Sequence, residues 1–437
     1  MRLWWVSLAL LLLGACAPGG DGRTTLAIAT VNNADMVRLK DFTRDFEASH
    51  PAIRLKWVML EENVLRQRVT TDVAIGAGQY DVITIGAYEV PVWAKRGWLS
   101  RLDDLGPAYR ADDLIAPIKA VVSLEGRQYA APFNGESAMT MYRTDLFRQA
   151  GIEMPAVPSW EFLIRAAERL NRPQDGVYGL CLRGKAGWGE NVALIVAMSN
   201  AYGARLFDEK WRPQFDSPEW KAAFATYVSA LRRFGPPGAV ANGFNENLAM
   251  FAQGKCAIWF DSTVAAPFLS DPATSKVSHV VGLAPAPDEG LGRSSGWLWT
   301  WALAIPETSR KAAAAREFVR WAAGPEYAAL VARRQGWLAV PPGTRQSLYL
   351  DPRYRKVAPF AATTLAAINA TDPVSPSVKP VPYVGVQYAA IPEFQGIGTE
   401  VGQQFSAALA GQITPEAALA AAQVAATRQM IAAGYLK

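Results

Sequence analysis

The chain has 437 residues, half of them hydrophobic and 19% charged, with a formal net charge of +5. That length exceeds what one hydrophobic core fills, so two lobes are expected, and the balance is that of a folded soluble protein rather than a disordered or membrane one. The basic residues are scattered with no run of five, which argues against a nucleic-acid partner; two histidines, His50 and His279, leave no His-based zinc site and no catalytic base of the commonest kind.

The first twenty residues, MRLWWVSLALLLLGACAPGG, join Arg2 to an apolar run from Leu3 to Leu13, the pattern of a secretory signal peptide over 1–15. Leu13-Gly14-Ala15-Cys16 resembles the lipobox of bacterial lipoproteins, which makes Cys16 a candidate lipidation site and 16–23 a tether. Ordinary cleavage after Ala17 is the alternative, and Pro18 just beyond the cut disfavours it. The mature protein is expected outside the cytoplasm, periplasmic or held at the membrane.

TTLAIATV (24–31) reads as a strand broken at Asn32-Asn33. A helix follows, with Met36, Leu39, Phe42 and Phe46 on one face. Pro51 ends it, and Ile53, Leu55 and Trp57 alternate as a second strand. Residues 61–76 read as a helix closed by Gly76 and Gly78, and YDVITIG (80–86) is the continuous apolar run of a strand buried on both faces. This βαβαβ order predicts a doubly wound, mainly parallel sheet with right-handed crossovers.

Cys181 and Cys256 lie in apolar, strand-like runs. A disulfide is possible in an exported chain; two buried small hydrophobes are the blander account, and the spacing suits no metal. Ser217-Pro218-Glu219 opens a helix whose inner face is Trp220, Phe224, Tyr227 and Leu231. Ser309 opens another that ends at Gly324-Pro325, and Thr414-Pro415-Glu416 opens the last, closed by Gly434. In GWLWTWALAIP (296–306), Trp297, Trp299 and Trp301 stand two apart and would share one strand face. Neither an internal repeat nor an internal linker marks a domain boundary, so the chain is expected to cross between lobes more than once.

The order of motifs resembles the family 1 extracellular solute-binding proteins of ABC importers, the maltose-binding-protein-like group. The segments that carry the likeness are QYDVITIGAYEVPVWAKRGWLSRLDDL (79–105), YAAPFNGESAMTMYRTDLFRQAGIEMPAVPSWEFLIRAAERL (129–170), FAQGKCAIWFDSTV (251–264) and WALAIPETSRKAAAAREFVRWAAGPE (301–326). Within that family, TVNNADMVRLKDFTRDFE and the WFDST element look most like the polyol binders. The resemblance implies an α/β, two-lobed periplasmic-binding-protein type II fold, each lobe a mixed, mainly parallel sheet flanked by helices, with the ligand in the cleft between them. Carried-over topology places lobe one at 24–132 plus 265–325 and lobe two at 133–264 plus 326–437.

The resemblance also implies a substrate-binding component with no catalytic residue, cofactor or metal. It would be a monomer that captures a neutral sugar alcohol or sugar by hinge closure and delivers it to membrane permease subunits. Such a ligand offers C–H faces to aromatic rings and hydroxyls that both donate and accept, so the candidate ligand residues are aromatics, short carboxylates and amides near strand ends. These are Asn32, Asn33, Tyr88, Glu89, Asn134, Glu136, Trp188, Asn191, Asp261, Trp297 and Trp299. Asn32 or Asn33, Asn191 and Asp261 could instead serve as helix caps. Trp301 is expected in the core, and Glu61-Glu62 and Asp103-Asp104 as solvated pairs. A secreted glycoside hydrolase would share the tryptophans and carboxylates, but the chain shows neither a nucleophile elbow nor metal-ligand spacing nor a phosphate loop. A structural or adhesive lipoprotein would bind no small solute.

Overall fold

A computed structural model describes residues 22–437; the signal-peptide and Cys16 expectations lie outside them. The first sheet runs in the order β2 (Ile53–Leu60), β1 (Thr24–Val31), β3 (Val82–Gly86), β11 (Trp299–Ala304), β6 (Ala131–Glu136). β1 pairs parallel with β2 and β3, whereas β11 lies antiparallel between β3 and β6. The helices between the opening strands are α1 (Ala34–Asp41), α2 (Thr43–Ser49) and α3 (Glu62–Ile75). The expected single helix is broken at Phe42, yet Met36, Leu39, Phe42 and Phe46 are all buried as one stripe. Gly76 caps α3 at φ +68°, a left-handed conformation that glycine adopts without steric cost.

A short ribbon, β4 (Ser123–Leu124) with β5 (Arg127–Gln128), precedes the second sheet. That sheet runs β10 (Val281–Pro285), β7 (Ala138–Arg143), β9 (Cys256–Ser262), β8 (Tyr178–Cys181), with only β8 and β9 parallel. Cys181 and Cys256 are joined as a disulfide between β8 and β9, at a Cα–Cα distance of 6.0 Å, so the blander reading of two free thiols is corrected. The later helices start where their caps said: Ser217 Oγ accepts from Trp220 N at the head of Pro218–Phe234, and Thr414 Oγ1 from Ala417 N at the head of Pro415–Ala432. The third begins slightly later than expected, at Ala312, with Ser309 Oγ accepting from Lys311 N just before it.

The expected lobe boundaries need three corrections. The chain leaves the first sheet at Ser137, between β6 and β7, not at Pro132. It returns after β10, because Val281–Pro285 pairs with β7, so the return lies between 285 and 299 rather than at 265. Helix Pro325–Gln335 stays with the first sheet's helices, since Tyr327 packs its ring against Phe42, Phe133 and Trp321. Ser137 and Thr263 tie the crossing to the end of β9: Thr263 N donates to Ser137 O at 2.9 Å and Ser137 N to Thr263 Oγ1 at 3.2 Å. Among the described residues no helix is long and apolar enough to cross a membrane.

Candidate functional site

Strand β11 carries Trp299 and Trp301, which its period of two aims the same way, and Trp297 lies in the chain just before it. All three line one cavity of about 200 Å³ between the two sheets, so Trp301, buried as expected, also forms part of the cavity wall. Trp299 approaches β3 so closely that a Cβ on Gly86 would lie 1.8 Å from its ring. Trp299 and Trp301 meet edge to face at 5.6 Å, a favoured ring geometry. From the other lobe Trp188, 2% exposed, meets Trp299 at 5.6 Å.

Two arginines absent from the expected list face this aromatic wall. Arg66 on α3 puts its guanidinium 4.0 Å from the Trp188 ring centre, 4.9 Å from that of Trp301 and 5.1 Å from that of Trp299. It donates to Glu62 at 3.0 and 3.2 Å and to Glu89. Burial works against its charge, but the Glu89 and Glu62 carboxylates outweigh it and hold Arg66 above the ordinary guanidinium range. Arg183 follows β8 and is held the same way by Asp261, with Nε donating at 2.9 and 3.1 Å to the two carboxylate oxygens. Its Nη1 donates to Gly189 O at 2.8 Å.

The remaining walls are acidic or amide-bearing. Burial pushes Glu136 up to about 7, against a hydrogen bond from Ser262 and the charge of Arg183. Burial likewise pushes Glu190 up to about 8, with Arg183 pulling the other way and Glu62 adding to the rise. Asn134 Nδ2 donates to Asp35 Oδ2 at 3.0 Å, and its Oδ1 accepts from Trp301 N at 3.3 Å. Three buried cavity atoms, Trp188 Nε1, Glu190 Oε2 and Gln387 Oε1, have no hydrogen-bond partner within the protein. One is a donor, one an acceptor and the third a carboxyl oxygen that can be either, which is the demand a hydroxyl meets from either side. Lys185 Nζ bonds Glu61 at 2.7 Å and Asn245 Nδ2 bonds Asn32 O at 3.1 Å, so the mouth is bridged from lobe to lobe.

The structure brings Asn32, Asn33, Asn134, Glu136, Trp188, Trp297 and Trp299 to the cavity wall. Asn33 lines the cavity and also caps α1, its Oδ1 accepting from Met36 N. Four expected residues are not on the wall. Tyr88 donates its hydroxyl to Ile391 O at 2.9 Å and packs edge-on against Trp188. Asn191 is wholly buried, accepting from Gly187 N and donating to Gly402 O. Glu89 and Asp261 sit behind Arg66 and Arg183 as counter-ions. Glu61 is exposed at the mouth, as expected, whereas Glu62 is largely turned inward to Arg66; both line the cavity. Asp103 and Asp104 do stay at the surface, bonded to Gln128 N and Arg316 Nε.

Arg66, Arg183, Glu62, Glu190 and Gln387 were missed. A signal existed for the arginines: Arg66 falls on the stripe with Val69 and Val73, where a charge is out of place, and Arg183 ends the apolar run of β8. Glu190 and Gln387 lie in irregular chain and had none.

Comparison with known proteins agrees with this geometry. Residues 31–329 match the bacterial extracellular solute-binding protein family. The mannitol-binding protein of Pseudomonas aeruginosa is 54% identical over 417 residues, 95% of each chain. A crystal structure of an ABC transporter solute-binding protein from Agrobacterium vitis with bound D-mannitol superposes with a TM-score of 0.93 at 58% identity, over 94% of this chain and 100% of that one. A second, from Agrobacterium radiobacter in complex with ribitol, gives 0.82 at 25% identity over 92% and 98%. The chain therefore belongs to the bacterial extracellular solute-binding protein family, with its two-lobed α/β fold, and is an extracytoplasmic solute binder rather than an enzyme.

Proposed function

We propose that the chain captures a linear six-carbon sugar alcohol, D-mannitol foremost, between its lobes and hands it to the permease of an ABC importer. The observation that carries this reading is the cavity itself: Trp299 and Trp301 of β11, Trp297 just before it and Trp188 facing arginines already paired to carboxylates. Flat rings suit the C–H face of a polyol, paired charges suit hydroxyls that donate and accept, and nothing in the lining offers an anion an unpaired cation. About 200 Å³ is below the ~300–1,000 Å³ of drug-sized sites, which favours one small solute over an oligosaccharide. The likeness to a mannitol-binding protein and to a D-mannitol complex supports the same class.

Ligand contacts from both lobes favour the shut arrangement, so binding shifts the population toward it and gives a permease something to distinguish. The protein would act as a monomer, tethered through a lipidated Cys16; a diacylglyceryl mass on the N-terminal peptide tests the tether.

The decisive experiment is a thermal-shift and calorimetric screen of the purified protein with D-mannitol, D-glucitol, D-arabitol, ribitol, D-glucose and maltose. A hexitol at about 100 times its Kd should add roughly 2.7 kcal/mol of apparent stability and be recovered unchanged after hours. A response to glucose or maltose with none to any sugar alcohol would overturn the assignment.

A further inference from the structure

We propose that Glu89 and Asp261 are the specificity-determining residues of this site: each neutralises one cavity arginine from behind and so closes the site to anionic solutes. The inference rests on the polyol reading above and deepens it. An arginine in a water-poor cavity is a ready receptor for a carboxylate, since its planar fork matches the two oxygens. This cavity holds one such arginine from each lobe, and in each case the fork is already taken.

Glu89 is 2% exposed and forms no part of the cavity wall. One of its oxygens takes Nη1 of Arg66 and the other accepts from Gly86 N at 2.9 Å. Asp261 is 0% exposed, takes Nε and Nη2 of Arg183, and accepts from Trp259 Nε1 at 3.2 Å and Ser262 N at 2.7 Å. Each carboxylate also accepts a backbone N–H, from Gly86 at Glu89 and from Ser262 at Asp261, which helps hold it against its arginine. Each guanidinium keeps N–H groups free of these partners, because five donors outnumber the bonds they make. Those hydrogens can serve a hydroxyl. They cannot supply net positive charge while their carboxylate partners stay in place, and the Glu62 carboxylate on the cavity wall would itself repel an anion. The third cation, Lys185, is likewise committed, to Glu61 at 2.7 Å and Glu190 at 3.8 Å.

Removing the carboxylate's charge while keeping its shape should reverse the selectivity. Glu89→Gln leaves Arg66 with Glu62 as its one bonded carboxylate, and Asp261→Asn strips Arg183 of its two-oxygen partner; a buried guanidinium short of counter-charge is a costly state that an anionic ligand relieves. The probes are D-mannitol and D-mannonate, which share the carbon chain and differ in the carboxylate at one end. Calorimetry on the full-length mature protein should find D-mannonate at least about 100-fold weaker than D-mannitol in the wild type. In either variant the ratio should move toward D-mannonate by at least about tenfold, and D-mannonate should raise the variant's melting temperature more than D-mannitol does. Residues that merely support the fold would weaken both ligands together; an unchanged ratio in a folded variant therefore overturns the proposal. If Asp261→Asn does not fold, Glu89→Gln decides, and a wild type that binds D-mannonate within tenfold of D-mannitol overturns it with no variant at all. Absence of binding to every hexitol would instead sink the polyol assignment.

Discussion

The two walls of the cavity are made by different means. Lobe one presents Trp299 and Trp301 from a strand hydrogen-bonded on both sides, and Arg66 from a capped helix. Lobe two presents Arg183, Trp188 and Glu190 from the irregular stretch between β8 and the helix Ala193–Ala201, where Glu190 at φ −105°, ψ −106° interrupts helical geometry. Regular structure positions the first wall; long-range contacts position the second. Gly398 shows how tightly: a Cβ there would stand 2.4 Å from that of Trp188. A regular wall can absorb the loss of one ring, whereas a wall assembled from single contacts should lose its geometry with any of them.

The sharpest way to break this contrast is to truncate one ring on each side. Trp188→Ala removes the ring that Arg66 stacks on and that contacts Tyr88, Trp299, Tyr388 and Phe394. It should cost about 3 kcal/mol or more of ligand binding, the scale of an anchoring aromatic. Trp299→Ala should cost about 2 kcal/mol of binding but more of stability, as large-to-small changes in a packed sheet do. Calorimetry and urea unfolding on both variants test the pair; equal binding losses with equal stability losses would erase the distinction between the walls.

The same contrast explains what could be read from the sequence. Period two reports that Trp299 and Trp301 share a strand face, though the strand begins only after Trp297, and caps report the helix starts at Ser217 and Thr414, because those signals are local. The strand-end rule led to Asn32, Asn134 and Glu136 for the same reason. Asp261 also ends a strand, but its orientation is decided by Arg183, 78 residues away in sequence, and no local pattern reports that. Trp301 is buried as expected and also lines the cavity, because depth along a strand does not tell which face a cavity occupies. The boundary near 265 failed similarly: β10 pairs with β7 across more than a hundred residues, and the strand's own sequence is silent about its partner.

Smaller probes sharpen the comparison. Gly86→Ala sets a methyl 1.8 Å from a ring that a paired strand holds, so it should cost about 1–3 kcal/mol of stability, the usual price of overpacking. Gly189→Ala would meet Glu62 Oε1 at 1.9 Å, but that is the end of a side chain that can rotate away. It should be nearly neutral for stability and weaken the ligand by loosening Glu62 from Arg66. Matched melting temperatures for the two variants would contradict the assignment of rigidity.

Protonation comes next in size. Glu136 sits where the two sheets meet, and burial raises its carboxyl from 4.5 to about 7. The folded state therefore holds more protons than the unfolded one between roughly pH 4.5 and 7. Stability from this group is full below that window, falls as pH rises through it, and is level above. Glu136→Gln fixes the uncharged form. The wild type should accordingly lose on the order of 1–2 kcal/mol relative to Glu136→Gln between pH 5 and pH 8, read by urea unfolding at both. A pH-independent difference would mean that Glu136 is ionised throughout.

The smallest expected effect lies at the mouth, where the lobes touch in solvent. Lys185 and Glu61 form an ion pair with side chains 29% and 41% exposed. Such pairs contribute at most about 1 kcal/mol, since water and salt screen them. Lys185→Gln should leave unfolding unchanged within error and speed ligand release about two- to threefold, a cost of roughly 0.5 kcal/mol confined to the shut form. The effect should fade in 1 M salt, where the Debye length is about 3 Å. Release that slows, or a change that survives high salt, would show that Lys185 acts inside the cavity through Glu190, 3.8 Å away, and not as a bridge across the mouth.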